Sequence, residues 1–174
     1  EAVDRSQLPA ESKNIEIVVG GRTDAMVYGD QDLLVTALRN LIDNAIRYSP
    51  ENTRVGVGIR SRDGLVAVSV TDQGEGLSPE DQERVFERFY RVDSARSRHT
   101  GGTGLGLSIV KHVMANHGGE VTLWSQPGQG STFTIRLPEM EGQDVPAAGT
   151  RRGPRAERPE RRDAAGVHEQ GASA

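Results

Sequence analysis

The order in which helical and strand-like patterns follow one another constrains the fold of this chain most strongly. Apolar residues recur every three or four positions over residues 31–48, which predicts a helix. Two alternating segments follow at 54–60 and 65–71, and the pair Asp63-Gly64 between them predicts a hairpin. Strand patterns grouped in hairpins, instead of alternating singly with helices, predict an α+β fold. We therefore expect a two-layer α/β sandwich, with a mixed sheet covered on one face by helices.

Shorter signals place the remaining elements. Ser78 and Pro79 suit the cap and the first position of a helix, which we expect to reach about residue 89. A third helix is expected over residues 105–117, because Gly118-Gly119 would end it. Strand patterns are present at residues 14–19, 120–125 and 131–137.

The composition excludes several classes of site. Cysteine is absent from the 174 residues, so neither a disulfide framework nor a thiolate metal site is expected. The formal charge is −4, and no basic stripe is interleaved with aromatic residues, which argues against nucleic-acid binding. No apolar run approaches the roughly 20 residues of a membrane helix. We expect no direct contact between this domain and a membrane.

The distribution of apolar residues divides the chain into a folded domain and flanking segments. From Met140 to the C-terminus there is no Leu, Ile, Phe, Trp or Tyr, so this segment cannot bury much apolar surface. We therefore predict one folded domain over residues 13–138 and a disordered C-terminal tail over 139–174. Residues 1–12 are predicted to be a linker from an upstream domain.

Four polar side chains share one flank of the long helix, beside its apolar stripe. They are Asn40, Asn44, Arg47 and Tyr48, at helical spacings. A half-buried amide requires partners, and an amide oxygen of Asn44 would suit a Mg²⁺ ion that also binds phosphate and water. Amides that cap or join helices are the structural alternative, which this helix alone does not exclude.

An acidic residue ends the second strand of the hairpin on its apolar side. Asp72 continues the alternation that places Val66, Val68 and Val70 on one face, where a carboxylate needs a hydrogen-bond donor. An adenine amino group is a suitable donor, and the nearby Gly74 and Gly76 would let a flat ligand approach. A glycine-rich turn that merely ends the strand is the alternative.

Glycine residues at 101–106 lead into the predicted helix over 105–117. Such a loop exposes backbone N–H groups, and the helix dipole adds attraction for phosphate. The loop is not a Walker A motif, because no Gly-Lys-Ser/Thr follows, and it lacks the glycine spacing of dinucleotide folds. The paired motifs of eukaryotic-type protein kinases are also absent from the chain.

Four blocks in one order carry a family resemblance. They are Asn-Leu-Ile-Asp-Asn-Ala-Ile-Arg-Tyr-Ser (40–49), Asp-Gln-Gly-Glu-Gly (72–76), Phe-Glu-Arg-Phe-Tyr-Arg (86–91) and Gly-Thr-Gly-Leu-Gly-Leu (102–107). Together they resemble the N, first glycine, F and second glycine boxes of bacterial sensor histidine kinases, and residues 128–133 resemble a last glycine box. The resemblance covers about residues 13–138 and implies the Bergerat ATP-binding fold, with ATP and Mg²⁺ as ligands.

The resemblance also implies a role for each matching residue. The nucleotide contacts that it implies are Asn40, Asn44, Arg47, Tyr48, Asp72, Gly74, Gly76, Tyr90, Arg91, Gly102, Thr103, Gly104, Leu105, Gly106, Leu107 and Thr132. Asn44 would ligate Mg²⁺, and Arg91 would stabilise the charge on the γ-phosphate during transfer, so these two are the expected catalytic residues. Thr132 would help through water at the adenine. Residues 91–101 would form an ATP lid, while Phe86 and Phe89 are expected to be packing anchors.

Three functions are compatible with the motifs. A sensor kinase domain would transfer the γ-phosphate to a histidine on a separate dimerisation domain, which this chain lacks, and a response regulator would be a further partner. Hydrolysing relatives of the same fold place a glutamate at the position of Asn40, and an amide cannot accept a proton from water. A silent nucleotide-binding module is the third possibility. We expect a monomeric fragment, from the cytoplasmic side of a membrane-anchored bacterial kinase.

Overall fold

The computed structural model describes residues 1–92 and 103–140. Its helices are α1 (Ala2–Arg5), α2 (Gln7–Ser12), α3 (Gln31–Tyr48), α4 (Pro79–Arg84) and α5 (Gly106–Asn116). Its strands are β1 (Glu16–Gly20), β2 (Arg54–Arg62), β3 (Leu65–Thr71), β4 (Glu120–Gln126) and β5 (Gly130–Pro138). The strands form one five-stranded sheet in the order β1-β2-β3-β5-β4.

The sheet is mixed, as expected. Strand β1 pairs with β2 in parallel, whereas the β2–β3, β3–β5 and β5–β4 pairs are antiparallel. The β2–β3 hairpin turns at Asp63 and Gly64, whose φ angles of 54° and 72° both lie in the left-handed region. Two such residues in succession are typical of the type I′ turn that matches the strand twist. The predicted hairpin is confirmed.

One face of the sheet carries the core. Helices α3 and α5 pack on each other and bury Leu41, Ile42 and Met114 completely. The strands contribute alternate side chains to the same cluster, among them Val70 and Phe133. The two-layer α+β prediction is therefore confirmed, with the helices on one face of the sheet.

The long helix matches its sequence prediction, because its boundaries are chemically marked. The Asp30 side chain caps α3 by accepting a hydrogen bond from the Leu33 N–H, at 3.0 Å. Helix α5 also ends as expected, since Gly118 has a φ of 66° and the Gly119 N–H bonds to the Met114 carbonyl.

Helix α4 is shorter than expected. It ends at Arg84 instead of continuing to about residue 89. The chain then makes a tight turn, and the Phe89 N–H donates to the Gly104 carbonyl at 2.8 Å instead of to a helical partner. Phe89 adopts a φ of 64° and is 71% exposed, so the expectation that it anchors the packing is wrong. Phe86 does pack, edge-on against Phe133.

Two short helices occupy most of the first twelve residues, a feature that the sequence interpretation missed. Helices α1 and α2 both contact α3, burying Ala2, Ser6 and Ala10. The Ser6 hydroxyl also donates to the Asp43 carboxylate of α3 at 2.7 Å. Whether residues 1–12 also link to an upstream domain stays a prediction.

Of the tail predicted over 139–174, only residues 139 and 140 are described. Glu139 forms an isolated bridge with Val27, and the Met140 N–H bonds to the Met26 carbonyl at 2.7 Å. The rest of the predicted tail, and residues 93–101 of the expected lid, lie outside the described residues. Within 1–92 and 103–140, no helix combines the length and the apolar character that crossing a bilayer requires.

Candidate functional site

A cavity of about 470 Å³ opens beside the C-terminal end of α3 and the end of β3. This volume is typical of sites for small molecules. Its walls come from five segments that are distant in sequence. The lining residues are Asn44, Arg47, Tyr48, Ser49, Pro50, Asp72, Gly74, Glu75, Gly76, Leu77, Val85, Tyr90, Arg91, Val92, Gly104, Leu107, Ser131 and Phe133.

Asp72 is the buried acid of this cavity, as its place in the strand alternation predicts. Its side chain is 6% exposed, and Oδ1 accepts hydrogen bonds from the N–H groups of Gly74, at 2.8 Å, and Ser131, at 3.1 Å. Burial raises the pKa of the Asp72 carboxyl, and these two hydrogen bonds only partly oppose the rise. Among the described residues no donor bonds Oδ2, so this oxygen remains available to a ligand in the cavity.

The glycines near Asp72 are required by contacts within the protein. A Cβ atom on Gly76 would lie 2.0 Å from the Gln126 carbonyl oxygen, and Gly76 also has a φ of 71°. A Cβ on Gly74 would lie 2.8 Å from the Tyr48 carbonyl oxygen. These residues therefore let three backbone segments approach closely. Both also line the cavity, so the prediction that they admit a purine stays open.

The last turn of α3 supplies polar groups to the opposite wall. Asn44, Arg47 and Tyr48 line the cavity, as their shared flank of the helix predicts. Within residues 1–92 and 103–140, no hydrogen bond engages the Asn44 amide. The hydroxyl of the adjoining Ser49 is buried and also has no partner in this part of the chain. Polar groups without protein partners in a cavity wall suit a polar ligand or water.

The segment that follows α4 also lines the cavity. The Tyr90 hydroxyl donates to Asp81 at 2.7 Å, and the Arg84 guanidinium lies 4.3 Å from the centre of the Tyr90 ring. Hydrogen bonds from Ser78 and Tyr90 lower the pKa of the Asp81 carboxyl. The hydrogen bond between Tyr90 and Asp81 also raises the pKa of the Tyr90 hydroxyl. Tyr90 therefore presents a fixed ring to the cavity. Arg91, the expected γ-phosphate contact, lines the cavity next to it.

Several predicted site residues do not line the cavity. Within the second glycine box, only Gly104 and Leu107 do so, whereas Thr103, Leu105 and Gly106 do not, and Gly102 lies outside the described residues. Asn40 is turned towards α5. Its Nδ2 donates to the Thr36 carbonyl at 2.9 Å, and its Oδ1 lies 2.9 Å from the place where a Cβ on Gly106 would stand.

Thr132 lies on the opposite face of the sheet from the cavity. Its hydroxyl is 3.0 Å from that of Thr71, its cross-strand neighbour on β3. The preceding residue, Ser131, lines the cavity and binds Asp72 through its N–H. Whether Thr132 helps at the adenine through water stays a prediction. Ser131, which the sequence interpretation did not name, shares the face of the core residue Phe133 because side chains alternate along the strand.

The lining of the cavity combines two kinds of group. One is the buried Asp72 carboxylate with apolar residues such as Leu77 and Val85. The other comprises the cationic residues Arg47 and Arg91 and the amide residue Asn44. A flat base with an amino group and an attached anionic chain would match both, since carboxylates accept from amino groups and arginines bind phosphates.

A family model matches most of the described chain. The model described as "Histidine kinase-, DNA gyrase B-, and HSP90-like ATPase" matches residues 29–141, which include the long helix and every described wall of the cavity. The chain is 58% identical over 139 residues to the sensor-like histidine kinase SenX3 of Mycolicibacterium smegmatis. This match covers 80% of the chain and 36% of that relative, so the chain spans about a third of its length.

The chain is also similar to solved structures of histidine kinases. The chain is 38% identical to the mycobacterial sensor histidine kinase MprB, with a TM-score of 0.70 over 79% of this chain and 93% of that one. It is 31% identical to full-length ShkA in complex with AMPPNP, with a TM-score of 0.68. That match covers 79% of this chain and 28% of ShkA.

Proposed function

Since the chain belongs to the family of histidine kinase-, DNA gyrase B- and HSP90-like ATPases, we propose that its cavity binds Mg²⁺·ATP and that the domain transfers the γ-phosphoryl group to a histidine outside this chain. The observation that carries the proposal is Asp72, a buried carboxylate with one oxygen left for a donor in the cavity. ShkA, a relative of similar fold, is in complex with the ATP analogue AMPPNP.

The adenine amino group is proposed to donate to Asp72 Oδ2. The two N–H groups that bind Oδ1 fix the carboxylate in place, so no reorganisation is needed when the base enters. Ser131 would add a hydroxyl beside the base, and Tyr90 a fixed aromatic ring. This arrangement favours adenine over bases with a carbonyl at the same position.

The phosphates are proposed to lie towards Arg47 and Arg91. A magnesium ion would be held by the Asn44 amide oxygen, which makes no hydrogen bond within the described residues, and would neutralise part of the phosphate charge. Arg91 would bind the oxygens of the transferred group. A fixed cation there stabilises the charge that develops in the transition state.

The reaction itself needs an imidazole from another domain. The nitrogen lone pair of the acceptor histidine forms the N–P bond while the bond from the γ-phosphorus to the bridging oxygen breaks, and ADP leaves. Asn40 is proposed to leave hydrolysis slow, because it has no carboxylate and its amide bonds to Thr36. The histidine-bearing dimerisation domain and a response regulator are the proposed partners of the parent protein.

The test combines the isolated chain with the separately made histidine-bearing dimerisation domain of the parent protein. We expect a phosphohistidine, stable in base and labile in acid, to form on that domain when γ-labelled ATP and Mg²⁺ are present. The chain alone should release little phosphate. Rapid phosphate release by the chain alone would favour a hydrolysing ATPase, and ATP binding without any labelling would favour a silent module.

A further inference from the structure

A lysine outside the cavity holds the end of the helix that forms one of its walls. Lys13 lies between α2 and β1, and its ammonium donates to the carbonyl oxygens of Ile46, Arg47 and Ser49. The distances from Nζ are 2.9, 3.0 and 2.5 Å respectively. An ammonium has three N–H donors, so these three acceptors use all of them.

The end of a helix needs such partners, because its last four carbonyl groups have none within the helix. In α3 the Ala45 carbonyl is bonded by the Ser49 N–H at 3.0 Å. Lys13 takes the next two carbonyls and that of the residue after the helix. Its positive charge also interacts favourably with the negative end of the helix dipole.

The remaining carbonyl faces the loop that follows Asp72. The Tyr48 carbonyl oxygen lies 2.8 Å from the position that a Cβ on Gly74 would take. The last turn of α3 is therefore held by Lys13 on one side and contacts the Asp72 loop on the other. A displacement of this turn would move Arg47 and Tyr48, which both line the cavity.

Two hydrogen bonds with Asn52 hold the backbone around Lys13. Its carbonyl accepts from the Asn52 N–H at 3.1 Å, and the neighbouring Asn14 amide donates to the Asn52 side chain at 2.7 Å. Burial lowers the pKa of the Lys13 ammonium, and the charge of Glu51 partly opposes this. Partial removal from water strengthens the three hydrogen bonds to carbonyl groups.

We propose that Lys13 is a positioning residue of the nucleotide site, which sets the last turn of α3 so that Arg47 and Tyr48 meet the phosphate chain. Lys13 does not line the cavity and acts only through the backbone that it binds. The proposal rests on the proposed function for its ligand. It predicts that a change at Lys13 affects binding of the polyphosphate more than binding of the base.

The experiment compares two nucleotides on three variants of the full chain. Lys13→Met removes the charge and all donors at similar length, whereas Lys13→Arg keeps the charge with a planar set of donors. Lys111→Met is the matched control, because Lys111 is the chain's other lysine and is exposed on α5. Calorimetry gives the Kd of Mg²⁺·AMPPNP and of AMP, which lacks the β- and γ-phosphates.

We expect Lys13→Met to weaken AMPPNP binding about tenfold and AMP binding less than about threefold, while Lys13→Arg recovers most of the difference. Lys111→Met should change neither Kd. Equal weakening of both nucleotides, in step with a lower Tm, would reduce Lys13 to a residue that only stabilises the fold and would overturn the proposal.

A second measurement separates this proposal from the proposed function. Hydrogen exchange reports the Ser49 N–H, which bonds to Ala45 in the last turn of α3. In Lys13→Met this amide should exchange faster than in the parent, with β3 unaffected. Unchanged exchange would overturn the positioning role even if ATP binds. A parent chain that fails to bind AMPPNP would overturn the proposed function, and with it the ligand of this proposal, whatever the exchange rate of Ser49.

Discussion

Asp72→Asn is the substitution that best separates nucleotide recognition from folding. The amide oxygen of asparagine can still accept the N–H groups of Gly74 and Ser131, which now bind Asp72 Oδ1 at 2.8 and 3.1 Å. The other oxygen, which has no donor within the described residues, becomes an NH₂ group. Two donors would then face each other where the adenine amino group is proposed to bind, and the negative charge is lost.

The variant is expected to bind nucleotide more weakly than the parent without being less stable. Loss of a hydrogen bond to a charged acceptor costs about 1.5–3 kcal/mol, or roughly 10- to 150-fold in the Kd of Mg²⁺·ATP. Stability should not fall, because burial raises the pKa of Asp72 and its ionised form is unfavourable in the fold. A raised pKa contributes stability at pH values below the unfolded pKa of about 3.9, which is lost as pH rises through the folded value. The stability of the variant relative to the parent should therefore increase as pH rises.

Calorimetry at neutral pH measures the Kd, and thermal unfolding from about pH 4 to about pH 8 measures the difference in stability. A comparison with ITP adds a control, since its base has a carbonyl where adenine has the amino group, and an asparagine NH₂ can donate to that carbonyl. We expect the preference for ATP over ITP to fall in the variant. An unchanged Kd for ATP in a folded variant, or an unchanged preference between the two bases, would refute the assignment of Asp72.

Four further substitutions follow from the same geometry. Asn44→Ala should abolish the enhancement of ATP binding by Mg²⁺ while leaving the Tm nearly unchanged, and equal Kd ratios with and without EDTA in variant and parent would contradict this. Gly76→Ala should lower stability by about 2 kcal/mol or more in urea unfolding, because its φ is 71° and its Cβ would overlap the Gln126 carbonyl. Ser131→Ala should weaken ATP binding about 2- to 12-fold, whereas Thr132→Ala should leave it unchanged. Weaker binding by Thr132→Ala alone would show that the ligand contacts the other face of β5, which would contradict the proposed site.

The sequence predicts the fold where a local rule and the tertiary packing agree. The cap at Asp30 and the apolar stripe fix the boundaries of α3, and the Asp63-Gly64 pair fixes the hairpin. The burial of Asp72 follows from alternation along β3, because a strand carries every second side chain to the same face. These predictions need no knowledge of distant contacts.

The errors have a common origin in long-range contacts. Helices α1 and α2 bury small residues, Ala2, Ser6 and Ala10, against α3, so they show no apolar stripe in the sequence. After α4 the chain turns where the Phe89 N–H bonds to the Gly104 carbonyl. This partner is distant in sequence, so no local pattern indicates it. The role proposed for Lys13 depends on carbonyl groups more than 30 residues away in sequence.

The most direct test of the central claim is a titration of the isotopically labelled chain with Mg²⁺·AMPPNP, followed by backbone amide NMR. A second cavity of about 670 Å³, lined by Tyr28, Asp30 and His117 among others, provides an internal comparison. We expect the largest shifts at Gly74, Gly76 and Ser131, which lie around Asp72, and at the last turn of α3. Shifts concentrated around the second cavity, or none at saturating nucleotide, would contradict the assignment of the nucleotide site.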